Sequence, residues 1–296
     1  MKQPLFTGLC TALVTPFLDG KVNYPMLEAL IQRQIDAGAD AIVLAGTTGE
    51  SPTLTTAEKL EIFRLGVEAA RGSCQIIAGT GSNCTEKAVE LSARAAELGV
   101  DGLLVVTPYY NKATQPGLLK YYESITRVAQ IPVIAYNVPS RTGVDISVDT
   151  CGKLAQMAHM AGIKEACGDI SKVGRILASS DLTVWSGNDD QTVPMMALGA
   201  AGVISVASNI VPEAMKALTS AAKAGDYTTA AAIQRRLLPL MDLLFCQVNP
   251  IPVKAAMKMI GLDCGGCRPP LDGLTPENWQ KFRDCLDELR FDDYNR

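Results

Sequence analysis

The stretch that decides the fold is Ile131-Pro-Val-Ile-Ala-Tyr-Asn-Val-Pro-Ser-Arg-Thr-Gly143, followed about twenty residues later by Gly162-Ile-Lys-Glu-Ala166. Residues 131–135 are apolar and rich in β-branched side chains, which is typical of a strand buried in a parallel sheet. Polar side chains begin at Tyr136, where this predicted strand ends, and the second segment carries one amine, Lys164, among apolar neighbours. We therefore predict a lysine and a tyrosine together at the carboxyl ends of two barrel strands.

Short apolar runs recur eight times along the chain, with amphipathic stretches between them. The predicted strands are residues 9–14, 41–45, 75–78, 102–106, 133–136, 162–165, 182–185 and 202–206. This strand–helix alternation predicts an α/β fold, a (β/α)8 TIM barrel. A doubly wound open sheet is the alternative, and the absence of GxGxxG after the first predicted strand disfavours it.

Amphipathic and capping patterns predict helices between the strands and also after the last strand of the barrel. We predict helices over residues 24–37, 55–70, 84–98 and 115–129, the second opening with a capping box of Thr55 and Glu58. Residues 1–225 are predicted to form the catalytic barrel, and residues 226–296 a C-terminal helical region. Its predicted helices are residues 227–248, 252–260 and 276–289, with Pro252 in a first helical turn.

Composition indicates a soluble globular protein. The 296 residues are 48% hydrophobic and 20% charged, with a net charge of -4 and no run of like charges. This argues against nucleic acid and anionic membranes as partners. The first residues lack the apolar core of a signal peptide, and no apolar run is long enough to span a bilayer. We expect a cytoplasmic protein.

Cysteine and histidine usage argues against a metal site. Nine cysteines are scattered without a pairing pattern, as expected of reduced thiols. Cys264-Gly-Gly-Cys267 is a lone CxxC, and we interpret it as a loop rather than a redox or metal motif, because a zinc site needs four ligands. The only histidine, His159, falls in a predicted helical stretch and is interpreted as structural. We predict neither a metal nor a cofactor.

Polar residues at the predicted strand ends are the candidates for chemistry. The hydroxyls of Gly46-Thr-Thr-Gly-Glu-Ser51 could approach an anion, or the segment could be a tight turn with a helix cap. The tyrosines of Thr107-Pro-Tyr-Tyr-Asn111 could relay protons or simply pack. Arg141 suits a substrate carboxylate but could be a surface residue. An amine such as Lys164 is costly to bury charged, and a neutral amine can attack a ketone; the alternative is a snorkelling lysine.

Six motifs together resemble the dihydrodipicolinate synthase family of pyruvate-dependent class I aldolases. They are Gly46-Thr-Thr-Gly-Glu50, Thr107-Pro-Tyr-Tyr-Asn111, Tyr136-Asn-Val-Pro-Ser-Arg-Thr-Gly143, Gly162-Ile-Lys-Glu165, Gly202-Val-Ile-Ser-Val206 and Asn249-Pro-Ile-Pro-Val-Lys254. The resemblance runs from Gly8 to about Leu274. Arg141 and Tyr110 are the more selective residues, since sialic acid lyases and keto-sugar aldolases usually lack the Ser-Arg-Thr-Gly form. An aldolase of that second kind is the alternative function, and a barrel without catalysis is a third.

The resemblance implies a lyase that condenses pyruvate with L-aspartate 4-semialdehyde to 4-hydroxy-tetrahydrodipicolinate, in the diaminopimelate route of lysine biosynthesis. It implies that Lys164 forms a Schiff base with pyruvate and that Tyr136 moves protons. Thr47, Tyr136 and Tyr110 would form a hydroxyl relay, with Tyr110 supplied by a neighbouring subunit. A homotetramer built from tight dimers is typical of the family.

The resemblance also implies the substrate-binding residues. Thr48 would hold the pyruvate carboxylate, and Arg141 would bind the carboxylate of the semialdehyde. Gly187 and Ile204 would line the pocket through backbone groups.

One departure from the family pattern concerns regulation. Members inhibited by lysine tend to carry His and Glu in a cleft between subunits, where this chain has Thr56, Lys59 and Lys87. Two cations there should repel a lysine ammonium group. We therefore predict weak or absent feedback inhibition by L-lysine.

Overall fold

Eight parallel strands close into a barrel in the computed structural model, which describes residues 3–289. The barrel strands and a small antiparallel ribbon (β2 and β3) are β1 (Gly8–Ala12), β2 (Phe17–Leu18), β3 (Lys21–Val22), β4 (Ala41–Leu44), β5 (Gln75–Gly79), β6 (Gly102–Val106), β7 (Val133–Asn137), β8 (Met160–Glu165), β9 (Thr183–Ser186) and β10 (Gly202–Ser205). Each barrel strand pairs with its neighbour in the chain, and β1 pairs with both β4 and β10. The predicted TIM barrel is confirmed, and the open sheet is excluded.

Helices alternate with the barrel strands, as the amphipathic stretches predict. They are α1 (Tyr24–Asp36), α2 (Thr56–Ala70), α3 (Thr85–Glu97), α4 (Gln115–Ala129), α5 (Pro139–Thr142), α6 (Val148–Ala155), α7 (Ile170–Ser179), α8 (Thr192–Ala197), α9 (Pro212–Lys223), α10 (Tyr227–Leu243), α11 (Ile251–Met259) and α12 (Pro276–Glu288). The predicted capping box is present, since the Thr55 hydroxyl accepts from the Glu58 N–H and the Glu58 carboxylate accepts from the Thr55 N–H. No helix within residues 3–289 is both long and apolar enough to cross a membrane.

The prediction of a helical conformation at His159 is wrong. Helix α6 ends at Ala155, and His159 is an exposed residue with a φ of 63° immediately before β8. Its carbonyl accepts a hydrogen bond from the Val133 N–H, which starts the pairing between β7 and β8. Only four residues separate the helix from the strand, so the chain has to reverse direction sharply there.

The C-terminal region is helical, but its first helix is shorter than predicted. Helix α10 ends at Leu243 rather than at residue 248. Residues 244–250 leave the helix and reach the carboxyl end of the barrel, where several of them line a cavity. Pro252 lies in the first turn of α11, as predicted. The division after residue 225 stays a prediction, and residues 1–2 and 290–296 lie outside the described residues.

The inside of the barrel is filled at one end and open at the other. The rings of Phe6 and Trp185 stack with their centroids 4.9 Å apart, and the Trp185 indole N–H donates to the Phe6 carbonyl. Above them the interior is packed with small and branched side chains from alternate strand positions. Because this packing closes the amino-terminal end, polar chemistry is confined to the carboxyl ends of the strands.

Candidate active site

Lys164 and Tyr136 lie side by side on adjacent strands. They are register partners in the β7–β8 pair, so both side chains enter the same face of the sheet, which is the barrel interior. The Lys164 Nζ lies 4.4 Å from the centroid of the Tyr136 ring, and Lys164 is only 5% exposed. The structure therefore brings together the amine and the phenol that interrupt the two apolar strands.

A cavity of about 720 Å³ opens above this pair. Six of the eight sequence-predicted site residues line it, together with residues from the loop after β9 and from the C-terminal region. The six are Thr47, Thr48, Tyr136, Arg141, Lys164 and Gly187. Gly187 approaches the amine closely, since a Cβ added there would lie 3.1 Å from the Lys164 Cε and 2.6 Å from the Ala166 Cβ. A glycine at this position leaves room for the lysine side chain.

Two predicted residues lie outside this cavity. The Ile204 side chain is fully buried in the barrel interior and does not line the cavity wall. Tyr110 is 89% exposed, has a φ of 74°, and donates its backbone N–H to the Thr142 carbonyl at 3.3 Å. Its side chain does not line the cavity of its own chain, in contrast to those of Thr47 and Tyr136.

The two threonines that follow β4 sit in a tightly held loop. The Glu50 N–H donates to the Thr47 carbonyl at 3.1 Å, and the Thr15 hydroxyl donates to the Gly49 carbonyl at 2.7 Å. A side chain at Gly49 would meet the Ala45 backbone at 3.0 Å, so only glycine fits without displacement. The loop thus presents Thr47 and Thr48 to the cavity in a fixed conformation.

Asn249 is a site residue that sequence reasoning missed. Its amide N–H donates to the Thr48 hydroxyl at 3.0 Å, and its backbone carbonyl accepts from an Arg141 Nη2 at 3.2 Å. It therefore contacts both residues that are predicted to bind carboxylates. The sequence shows Asn249 only as part of a motif in the C-terminal region, more than a hundred residues away from Arg141.

The C-terminal region also holds the threonine loop through a buried ion pair. The Lys254 Nζ lies 2.5 Å from the Glu50 carboxylate, and these side chains are 3% and 1% exposed. The same ammonium donates to the Gly266 carbonyl, and the backbone N–H of Arg268 donates to the second Glu50 oxygen. Glu50 therefore ties the threonine loop to α11 and to the segment that follows it.

The lone CxxC lies in that segment and forms a loop, as predicted. Cys264 is buried, Cys267 is partly buried, and both are free thiols. Burial raises the pKa of Cys264 to about 11 and that of Cys267 to about 12, so both stay protonated near neutral pH. Within residues 3–289, no group of three or more His, Cys, Asp or Glu side chains is arranged to hold a metal ion.

A second cavity of about 620 Å³ adjoins the first. Thr47, Tyr136 and Arg141 line both cavities, and the second also receives Tyr109. The three residues on which the prediction about L-lysine rests, Thr56, Lys59 and Lys87, lie on its wall. Burial lowers the pKa of Lys59. Within the described part of the chain, neither Lys59 nor Lys87 has an ion-pair partner.

Comparison with known proteins identifies the family of this chain. The model of the dihydrodipicolinate synthetase family matches residues 5–289. The chain belongs to the dihydrodipicolinate synthetase family. The 4-hydroxy-tetrahydrodipicolinate synthase of an Exiguobacterium species is 49% identical over 288 residues, covering 96% of this chain and 98% of that protein. The enzyme of the same name from Aquifex aeolicus is 46% identical over 285 residues, covering 95% and 97%.

The fold of this chain also matches solved structures of the family. The crystal structure of dihydrodipicolinate synthase from Aquifex aeolicus superposes with a TM-score of 0.95 at 45% identity, covering 97% of this chain and 99% of that chain. Family membership confirms the resemblance that the strand-end motifs indicate. The roles of the individual residues in this dihydrodipicolinate synthetase family member stay predictions.

Proposed function

We propose that this chain is a 4-hydroxy-tetrahydrodipicolinate synthase, a lyase that condenses pyruvate with L-aspartate 4-semialdehyde in lysine biosynthesis. Family membership over residues 5–289 supports the reaction. The observation that carries the assignment of roles is the Lys164 amine lying 4.4 Å from the Tyr136 ring centroid at the base of a cavity. Carboxylate-binding candidates, Thr48 and Arg141, lie on the walls of the same cavity.

The first half of the reaction uses the amine of Lys164. It attacks the ketone carbon of pyruvate, and loss of water leaves a protonated imine, while the Thr48 hydroxyl binds the pyruvate carboxylate. The imine withdraws electrons from the methyl group, so a proton can leave the methyl carbon and an enamine forms. The Tyr136 hydroxyl donates and accepts the protons of these steps, since the ring that carries it lies beside the amine.

The second half joins the two substrates. The enamine carbon attacks the aldehyde carbon of the semialdehyde, whose carboxylate pairs with Arg141, and the aldehyde oxygen takes up a proton. The amino group of the semialdehyde then attacks the imine carbon, which closes the ring and releases the free amine of Lys164. The product is 4-hydroxy-tetrahydrodipicolinate, and each proton that is removed is returned to product, water or solvent.

The hydroxyl relay of Thr47, Tyr136 and Tyr110 requires a second subunit in this proposal. Support comes from the exposure of Tyr110, 89%, which leaves its phenol free to enter a neighbouring chain. We accordingly propose self-association as a homotetramer of tight dimers, and a cytoplasmic location. The nine free cysteines are in keeping with a reducing compartment.

Borohydride reduction in the presence of pyruvate tests the proposal directly. We expect pyruvate to become attached irreversibly to the peptide that contains Lys164, and a Lys164→Ala variant to bind none and to lose turnover. Attachment at a different lysine, turnover that survives Lys164→Ala, or loss of the reaction on adding a chelator would contradict it.

A further inference from the structure

A second pair of residues faces away from the cavity on the same two strand ends. Asn137 and Glu165 are register partners, one residue beyond Tyr136 and Lys164. Because side chains alternate along a strand, this second pair points outward, between the barrel and its helices. Both residues are buried, at 0% and 2% exposure, although both are polar. Buried polar groups of this kind need partners, and here they find each other.

Hydrogen bonds and ion pairs link four side chains in a ring. They belong to Asn137, Asp145, Glu165 and Lys172, which we call the outer clamp. The Asn137 amide N–H group donates to the Glu165 carboxylate at 2.8 Å and to the Asp145 carboxylate at 2.7 Å. The Lys172 ammonium lies 3.1 Å from the Glu165 carboxylate and 2.5 Å from that of Asp145.

Lys172 supplies the positive charge of the outer clamp. Burial lowers the pKa of this lysine, but the carboxylates of Glu165 and Asp145 together outweigh the effect of burial, so the pKa is raised overall. The ammonium is therefore present throughout the pH range in which the protein would work. It compensates the negative charge of Glu165, which has almost no contact with water.

The outer clamp also fixes the backbone around the reacting pair. The Glu165 carboxylate accepts from the Cys167 N–H at 2.9 Å, and the Asn137 side-chain carbonyl accepts from the Ile146 N–H at 3.0 Å. The segments that follow β7 and β8 are thus tied to the same side chains. One of those segments, residues 138–146, carries Arg141.

We propose that Glu165, held by Asn137 and Lys172, is a positioning residue that sets the alignment of the Lys164 amine with the Tyr136 phenol. This inference rests on the proposed function. Rotation of either strand end would move the amine relative to the phenol, because Asn137 directly follows Tyr136 in the chain and Glu165 directly follows Lys164. Misplacement by about 1 Å can lower a rate by about 100-fold.

The test is Glu165→Gln, which keeps the shape and the acceptor for the Cys167 N–H but removes the charge that pairs with Lys172. At saturating pyruvate, we expect the rate of borohydride-trapped imine formation and kcat to fall by about 10- to 100-fold. The KM for the semialdehyde should stay within about threefold, because the Asn137 side-chain carbonyl still accepts from the Ile146 N–H and so keeps the segment that carries Arg141 in place. Unaltered trapping and kcat in the folded variant would overturn the inference.

A matched control is available at the opposite end of the barrel. Asp40 accepts from the Leu9 N–H at 2.8 Å and pairs with Lys216 at 2.8 Å, so it holds a strand in a similar way but far from the amine. Asp40→Asn should lower the melting temperature without lowering kcat. If Glu165→Gln lowers only the melting temperature, as this control does, its role is structural and the inference is wrong.

A milder variant keeps the inference testable if Glu165→Gln does not fold. Asp145 is the half-exposed member of the outer clamp, with its side chain 51% exposed. Asp145→Asn should fold and should slow trapping and kcat in the same ratio as each other, with KM unchanged. A normal trapping rate in this variant would overturn the inference. If the unmodified chain traps no pyruvate on Lys164, it is instead the proposed function that fails.

Discussion

Arg141 is the residue that should decide which aldehyde the site accepts. Its guanidinium lies on the cavity wall and is held by the Asn249 carbonyl, so it can meet a carboxylate that arrives above Lys164. Arg141→Ala should lower kcat/KM for L-aspartate 4-semialdehyde by about 10- to 100-fold, as expected for a lost charge-assisted hydrogen bond. Trapping of the pyruvate imine should remain.

The comparison of the two assays separates the substrate assignment from the chemistry. Steady-state kinetics with the semialdehyde report on Arg141, while borohydride trapping reports on imine formation at Lys164, a step that does not involve the semialdehyde. Unchanged semialdehyde kinetics in Arg141→Ala would show that another acceptor, such as a sugar aldehyde, is the natural one.

At this scale the sequence revealed the residues that interrupt apolar strands. Tyr136 and Lys164 stand out because each is a polar side chain at the end of a buried run. Asn249 does not stand out, because it lies in irregular chain between α10 and α11, and only the fold brings it to Thr48. Ile204 was placed in the site by resemblance, through its backbone groups; its side chain belongs to the barrel interior, and the backbone role stays a prediction.

At the scale of secondary-structure elements, the buried ion pair between Glu50 and Lys254 joins the loop that carries Thr47 and Thr48 to α11. Lys254→Met would leave the Glu50 carboxylate buried, with hydrogen bonds from the Arg268 N–H and the Cys267 thiol but without its ammonium partner. Removing one partner of a buried pair typically costs about 3–5 kcal/mol, so we expect a loss of stability of that order, measured by urea unfolding.

A lysine in an exposed pair provides the control for that measurement. Lys281 pairs with Glu277 on the surface of α12, with side chains that are 52% and 77% exposed. Lys281→Met should change the unfolding midpoint little, since solvent screens such pairs. Equal effects of the two substitutions would refute the importance that we assign to the Lys254–Glu50 pair.

Element boundaries were predictable where local signals are strong. The capping box at Thr55 and the apolar runs place the start of α2 and all eight barrel strands to within two residues. The end of α10 was not predictable, because residues 244–248 remain compatible with a helix. In the folded chain four of the residues after α10 line the cavity instead, and Asn249 contacts Thr48 and Arg141, which no local signal reveals.

At the scale of the whole molecule, a complementation experiment can test whether the exposed Tyr110 serves the site of a neighbouring subunit. If its phenol completes the site of a neighbour, a Lys164→Ala chain and a Tyr110→Phe chain should each be impaired alone. A hybrid tight dimer then contains one site with an intact Lys164 and an intact Tyr110. After co-refolding of equal amounts, random pairing should restore about a quarter of the unmodified activity.

The same mixture also tests the opposite arrangement, in which Tyr110 belongs to the site of its own chain. If Tyr110 serves the site of its own chain, no hybrid holds a complete site and the mixture is no more active than the sum of its parts. Size-exclusion chromatography of each variant checks that association itself is intact.

Regulation of the whole molecule should depend on Lys59 and Lys87. Both line the second cavity, where their positive charges oppose the binding of a free amino acid with an ammonium side chain. We expect initial rates to be nearly independent of L-lysine at millimolar concentration. Strong inhibition below millimolar concentration would contradict this, and replacing the pair (Lys59→Gln with Lys87→Glu) should make the enzyme more sensitive.

The stacked rings of Phe6 and Trp185, which form a plug at the amino-terminal end of the barrel, make the tryptophan fluorescence of this chain informative. The chain has two tryptophans, Trp185, fully buried in the plug, and Trp279, partly buried on α12. After Trp279→Phe, the remaining fluorescence comes from inside the barrel and should be blue-shifted and shielded from quenchers. Denaturant titrations of this variant and of Trp185→Phe would follow the barrel and the last helix separately, and so reveal whether the two parts of the chain melt as one unit.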